Sequence, residues 1–300
     1  MRKFLINIFT FILTSISILL CIWLIYKQRL NEVKLRSDAS IIVCGDSHVQ
    51  CAINDSILHG AINISESSQH YLYTYNILKL LIQNNPQIKL IILGCSFHSF
   101  AEYYNNLFIK NNETYFQYPM YFSILDYESM LKILLKNPIG LFMLSVRIYK
   151  NIIHAVIKNS ANFQDYPFCG GYYKSNRNNL NDSTIITAIK RHYYLNNKLK
   201  LRFACLQKLY LKKIIEICNK SKIKLVVINT PVNENYYKKI PKKIISDYYY
   251  TMLGFDKKIS FFDLHSYKIG NEGFGDGDHL NSIGSEKFTL KVDSLLIESK

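Results

Sequence analysis

The chain has 300 residues, 49% hydrophobic and 20% charged, so it holds one anchor and one large domain and is too apolar for wholesale disorder. Lys and Arg number 37 against 22 Asp and Glu, a net charge of +15, yet the basic residues are mostly Lys spread among Asn, Ile and Tyr. With no Arg-rich stripe, zinc-finger spacing or aromatic RNA-binding signature, nucleic acid is excluded as the expected partner, and the charge is read as a solvated surface facing anionic lipid or glycan.

Residues Phe4 to Tyr26 form a run of 23 residues without a charge, long enough to cross a bilayer core of roughly 30 Å. Arg2 and Lys3 precede it and Lys27, Arg29, Lys34 and Arg36 follow it, so charge orients it poorly. A short apolar core with a small-x-small cleavage site is not evident, and Leu20 before Cys21 does not suit a lipoprotein signal. The expectation is an uncleaved anchor over residues 1–26 with a cytoplasmic N-terminus, a charged stalk over 27–38, and one domain over 39–300. Of seven cysteines, six lie beyond the anchor with no CxxC pair and no Cys/His metal spacing, so connectivity stays unassigned.

Beyond the anchor, Ser40 to Cys44 reads as a buried parallel strand ending at Gly45, and Ala61 to Ser65 as a weaker second strand. Ser67 to Asn84 has helical spacing and stops before Pro86. Ile88 to Leu93 is a third strand, ending at Gly94. From about 99 to 200 the rhythm breaks into a mostly helical insertion, with helices over Glu128 to Leu135 and Leu141 to Ile157 and a long Asn- and Tyr-rich loop over 158–184. Then come a helix over Leu201 to Lys220, a strand over Ile223 to Asn229, a helix over Lys238 to Met252, a strand over Ile259 to Leu264 and a closing helix over Ser282 to Glu298. Alternating strands and helices imply a parallel sheet covered on both faces, with ligands just beyond the carboxyl ends of its strands.

Two motifs stand at such ends. Gly45-Asp46-Ser47-His48 follows the first strand, where Gly45 permits a tight turn and Ser47 opens a helix whose amides suit a developing oxyanion. Alone, the motif also reads as a turn with Asp or Ser capping a helix. Gly275-Asp276-Gly277-Asp278-His279-Leu280-Asn281 opens the last helix. A neutral His takes a serine proton, and a carboxylate three residues earlier folds back to hold the other ring nitrogen. Asp278 is an alternative orienter, although an adjacent residue usually points elsewhere. The eight His are scattered with no HExxH or His-x-His, so no metal or cofactor is expected.

The pair GDSH and DGDHLN resembles the SGNH/GDSL hydrolases over about residues 40–298, with the middle third poorly matched. The resemblance implies a flavodoxin-like three-layer α/β/α sandwich with a central five-stranded parallel sheet. It makes Ser47 the nucleophile, His279 the general base and Asp276 its orienter. The family expects a glycine after the second strand and Gly-x-Asn after the third. This sequence has Ser65 in a stretch without glycine, and Ser96 where Asn would fall. The candidates around the oxyanion are therefore Gly45, Ser65, Ser96 and His98, beside the Ser47 amide. The bland reading of His98 is a polar loop residue.

Anchor and insertion together are similar to the branch of cell-envelope acylation proteins, such as those of alginate O-acetylation and teichoic-acid D-alanylation. That resemblance implies a single-pass protein of a bacterial cytoplasmic membrane with its catalytic domain outside. It would act as an esterase or O-acyltransferase on an acyl group, acetyl first, of an envelope polysaccharide, with a membrane-bound acyltransferase as a further partner. Tyr166, Tyr172 and Tyr173 are candidates to stack on sugar rings or simply to pack. The competing reading is a non-catalytic envelope protein that keeps the fold and binds glycan or the acyltransferase.

Overall fold

The computed structural model describes residues 1–106, 112–255 and 259–298. In chain order the elements are α1 (Arg2–Leu30), β1 (Ile41–Cys44), α2 (Ser47–Ala52), β2 (Ala61–Asn63), α3 (Tyr71–Asn84) and β3 (Leu90–Gly94). The insertion supplies α4 (Tyr103–Asn106), α5 (Asn112–Tyr121), α6 (Tyr127–Lys136), α7 (Pro138–Lys158), α8 (Asp182–Tyr193) and a small ribbon of β4 (Tyr194–Leu195) and β5 (Lys198–Leu199). The chain then returns through α9 (Cys205–Lys220), β6 (Lys224–Asn229), α10 (Glu234–Lys239), α11 (Lys242–Leu253), β7 (Ser260–Asp263) and α12 (Ser282–Glu298).

Five strands form one parallel sheet in the order β2-β1-β3-β6-β7, which in sheet strands alone is the 2-1-3-4-5 order of flavodoxin-like folds. Ile42 lies opposite both Ile62 and Ile91, and Ile92 lies opposite Val226. Because side chains alternate along a strand, each apolar run feeds two cores. Ile42, Cys44, Ile91, Leu93, Leu225 and Val227 pack under α3, α9 and α11. Val43, Ile92, Val226 and Ile228 pack with Val49 and Ala52 of α2 and with Phe288, Val292 and Leu296 of α12. Those two cores make the three layers. The strand order reverses at β1 and β3, so their carboxyl ends flank the crevice where such sheets bind ligands.

Several boundaries differ from the sequence reading. The helix expected over Lys238 to Met252 is two helices, because Pro241 lacks an amide and holds Ile240 extended at φ −66° and ψ 131°. The helix expected from Ser67 starts at Tyr71, where His70 Nδ1 caps the Leu72 amide and Ser68 sits at φ +56°. α8 occupies the end of the expected loop and the stretch beyond it. Asn181 and Thr184 cap it reciprocally, and it buries Ile185, Ala188 and Ile189.

The charged stalk expected over 27–38 is docked instead. α1 runs on to Leu30, and Leu30, Val33 and Leu35 are buried with Tyr26, whose hydroxyl meets Ser123 Oγ at 2.9 Å. The Leu35 amide donates to Asn85 Oδ1 at 2.8 Å. α1 is long and apolar enough to cross a membrane. All seven cysteines lie among the described residues and are free thiols.

Candidate active site

The turn after β1 is tight because two strand ends nearly touch. Gly45 has φ +149°, and a Cβ there would meet Gly94 Cα and N at 3.2 Å. Asp46 then caps α2, its Oδ1 accepting the His48 amide at 3.0 Å, and Ser47 becomes the first helical residue. At the other end of the domain, Asp276 Oδ1 accepts the amides of Asp278 at 3.1 Å and His279 at 2.9 Å. Asn281 caps α12 through the Ile283 and Gly284 amides. Gly277 lets this turn lie against α8, since a Cβ there would fall 2.7 Å from Ile185 Cα.

The two turns bring Ser47, His279 and Asp276 together. Ser47 Oγ lies 2.8 Å from His279 Nε2, and His279 Nδ1 lies 3.0 and 3.1 Å from the two Asp276 oxygens. Burial opposes a charge on His279. The charge of Asp278, then the hydrogen bond and charge of Asp276, outweigh it and raise its pKa above the ordinary value. Burial also works against the Asp276 carboxylate, but His279 more than compensates and its pKa is lowered. The alternative orienter, Asp278, reaches His279 Nδ1 only to 3.5 Å.

Asp278 belongs to a buried network that the sequence reading missed. Its Oδ2 takes His48 Nε2 at 3.2 Å and Arg191 Nη2 at 2.9 Å. Asp46 Oδ2 takes His98 Nε2 at 3.0 Å and the Tyr104 hydroxyl at 2.6 Å. Burial opposes both carboxylates, and the neighbouring histidines hold both well below the usual range. Burial, then the charge of His98, pushes His48 down to about 4 and His192 well below its ordinary value. His48 and Asp278 had a signal, since each adjoins a motif residue and the two motifs pair crosswise. Arg191 and His192 had none.

The ring nitrogens of His48, His98 and His192 come within 4.8 Å of one another, a donor set that invites a metal ion. The ring geometry argues otherwise. The His98 and His192 rings stack 4.0 Å apart and only 8° from parallel, so their in-plane lone pairs do not converge. A zinc ion needs nitrogens at about 2.0–2.1 Å directed to one point. With His48 and His98 already on carboxylates and His192 Nδ1 on the Tyr236 hydroxyl at 2.8 Å, the imidazoles fit a hydrogen-bonded core instead.

Two of the oxyanion candidates are corrected. Ser65 is fully buried and its amide donates to Asn63 Oδ1 at 2.9 Å. Ser96 is buried and its amide donates to Ser99 Oγ at 2.9 Å. Neither lines the cleft at Ser47, a cavity of about 400 Å³. His98 does line it, but with Nε2 on Asp46. Gly45 serves the turn, and its carbonyl accepts the Glu66 amide. The remaining wall is polar, with Gln50, Ser67, Ser68, Ser175, Arg177 and Arg191. Tyr103 and the half-exposed Tyr173 face the cleft, whereas Tyr166 is buried and Tyr172 is partly so.

No known family profile matches the chain, and no curated protein does. Among solved structures it is similar to a proposed acylhydrolase of Bacteroides fragilis NCTC 9343. The two share 11% identity with a TM-score of 0.38, over 89% of this chain and 90% of the other. It is also similar to a GDSL-like lipase of Bacteroides thetaiotaomicron VPI-5482, at 10% identity and a TM-score of 0.40, over 92% and 98% of the two chains.

Proposed function

We propose that this chain is a membrane-anchored serine esterase or O-acyltransferase acting on an ester-linked acyl group, with Ser47, His279 and Asp276 as its triad. The observation that carries the reading is the unbroken chain of hydrogen bonds from Ser47 Oγ through His279 to Asp276 at 2.8 and 3.0 Å. In this reading Ser47 Oγ attacks the acyl carbonyl as His279 Nε2 takes its proton, while Asp276 holds the Nδ1–H. The Ser47 amide, at the positive end of α2, faces the oxyanion. Collapse expels the alcohol, which regains its proton from His279. His279 then takes a proton from water or a sugar hydroxyl, whose oxygen attacks the acyl carbonyl, and the bond to Ser47 Oγ breaks as Ser47 regains the proton.

The wall of Ser, Gln, Arg and Tyr side chains supports a hydroxylated carrier, and acetyl is the acyl group we favour. An envelope polysaccharide outside the cytoplasmic membrane is the carrier we favour, with a membrane-bound acyltransferase as the donor partner. One observation favours the non-catalytic alternative, in which the cleft only binds glycan. The amides of Ser65 and Ser96 are turned inward, which leaves the oxyanion hole short of donors. Removal of one such donor typically costs about 100- to 1000-fold in rate.

The test is labelling of the full chain in detergent with a fluorophosphonate probe. The proposal expects labelling of wild type that disappears in both Ser47→Ala and His279→Ala. Folded wild type that resists the probe, yet retains glycan, would favour the binding protein.

A further inference from the structure

We propose that the outer face of α7 is a lipid-facing surface, bedded in the head-group boundary of the same membrane that α1 enters. This goes beyond the reaction and rests on the membrane reading of α1. The inner face of α7 carries Leu144, Ile148, Ile152 and Ala155, all buried against the rest of the domain, where α7 packs on α1, α5 and α6. An ordinary surface helix turns polar residues outward from such a face. α7 does the opposite. Ile139, Phe142, Met143, Val146 and Ile157 recur at helical spacing on the far side and are 76%, 78%, 73%, 81% and 76% exposed. Just before the turn into α7, α6 adds Leu134 and Leu135, 44% and 75% exposed. Lys150 interrupts this face between Val146 and Ile157, and the exposed apolar part from Ile139 to Val146 marks an interaction surface.

Two observations select lipid as the occupant. The first is continuity. α7 packs on α1, whose N-terminal half exposes apolar side chains such as Phe9, Phe11 and Leu13 at 67%, 74% and 54%. The buried residues of α1, Tyr26 and Leu30, lie at its domain end, so a bilayer around its exposed apolar half would end close to α7. The second is charge. Lys136 at the end of α6 and Lys150 within the exposed face of α7 are both exposed, the fringe expected of a helix lying among anionic head groups. α7 does not need to span, although its length and composition allow it. From Leu144 to Ala155 one side of it is occupied by the domain, so it lies along the surface and offers the other side to lipid.

The experiment uses the full chain in membranes, with p-benzoyl-phenylalanine placed at Phe142 or Val146. Phe11 in α1 serves as the membrane control and Tyr250, 77% exposed on α11, as the aqueous control. After irradiation, the expected result is a mass increase of one phospholipid at Phe142, Val146 and Phe11, and none at Tyr250. Cross-links to another protein at Phe142 and Val146 would overturn the proposal in favour of a protein partner. No adduct at those two positions, with lipid at Phe11, would overturn it while leaving α1 in the membrane. Loss of lipid adducts at Phe11 as well would overturn both readings.

Discussion

His279 sits between two carboxylates with different tasks. Asp276 holds Nδ1 from 3.0 Å, while Asp278 stands 3.5 Å away and gives its other oxygen to Arg191 and His48. In the proposed mechanism His279 is a general base, which works only when neutral, so activity should rise with pH through its raised pKa. Asp278→Asn removes one of the charges that raise it. The acid limb of kcat/KM on a chromogenic acetyl ester should then move to lower pH, and an unmoved limb would show that His279 does not feel this charge. Asp276→Asn should instead lower kcat roughly 10,000-fold across the pH range, as loss of the correct tautomer does in such triads. Stability has its own pH dependence. The unfolded His48 titrates near pH 6.5 and the folded one near 4, so the unfolded chain binds the proton first. Its contribution is present above about pH 6.5 and is lost as pH falls towards 4. The lowered pKa of His192 acts in the same sense, whereas the raised pKa of His279 contributes stability that is present below about pH 6.5 and is lost only as pH rises above it. The unfolding free energy from denaturant melts should therefore fall between pH 6.5 and 4, and His48→Gln should reduce that fall by on the order of 3 kcal/mol. A mutant with the wild-type slope would count against a neutral buried His48.

At the scale of elements, the site depends on how closely α8 approaches the turn before α12. A Cβ on Gly277 would meet Ile185 backbone atoms at 2.7 and 3.0 Å, and backbone cannot step aside cheaply. Gly277→Ala should cost about 1–3 kcal/mol in denaturant unfolding. It should also slow fluorophosphonate labelling, because the turn carries His279 away from Ser47. Labelling at the wild-type rate would mean that the turn does not depend on this contact. The five strands of the parallel sheet were legible because each is a short apolar run that ends in Gly or a polar residue, and Ser47, Asp276 and His279 each lie within one contiguous motif, whereas the ribbon of β4 and β5 gave no such run. α8 was not legible. Its few apolar positions, Ile185, Ala188 and Ile189, follow an Asn-rich stretch that reads as loop, and only tertiary packing brings Arg191 and His192 to the cleft. Ser65 and Ser96 were misread for another reason. Position at a strand end places a residue near the crevice, but the Asn63 side chain and the Ser99 hydroxyl decide where the amides point.

For the whole molecule, the junction between α1 and the α/β domain is the least intuitive feature. Charge over residues 27–38 suggested a solvated tether, because Lys, Arg and Glu dominate its composition. The apolar minority governs its structure. Leu30, Val33 and Leu35 are at most 8% exposed, and Tyr26 stands edge-on to Tyr166 with its hydroxyl on Ser123. The end of α1 is thus part of the core of the α/β domain. The Leu35 amide is held by Asn85, just ahead of β3, so the chain enters at the amino edge of the sheet. The cleft opens at the opposite, carboxyl edge. A soluble fragment cut at residue 37 would strip four buried side chains and uncover their partners. Full burial of each such side chain contributes about 1.5–3 kcal/mol, so the loss should reach several kcal/mol. A fragment starting at residue 22 keeps all four. In parallel thermal melts in detergent, the longer fragment should unfold at clearly higher temperature and the shorter one should tend to aggregate. Equal melting temperatures would mean that residues 22–36 contribute nothing to the domain, and the segment would be the free tether that its charge suggested.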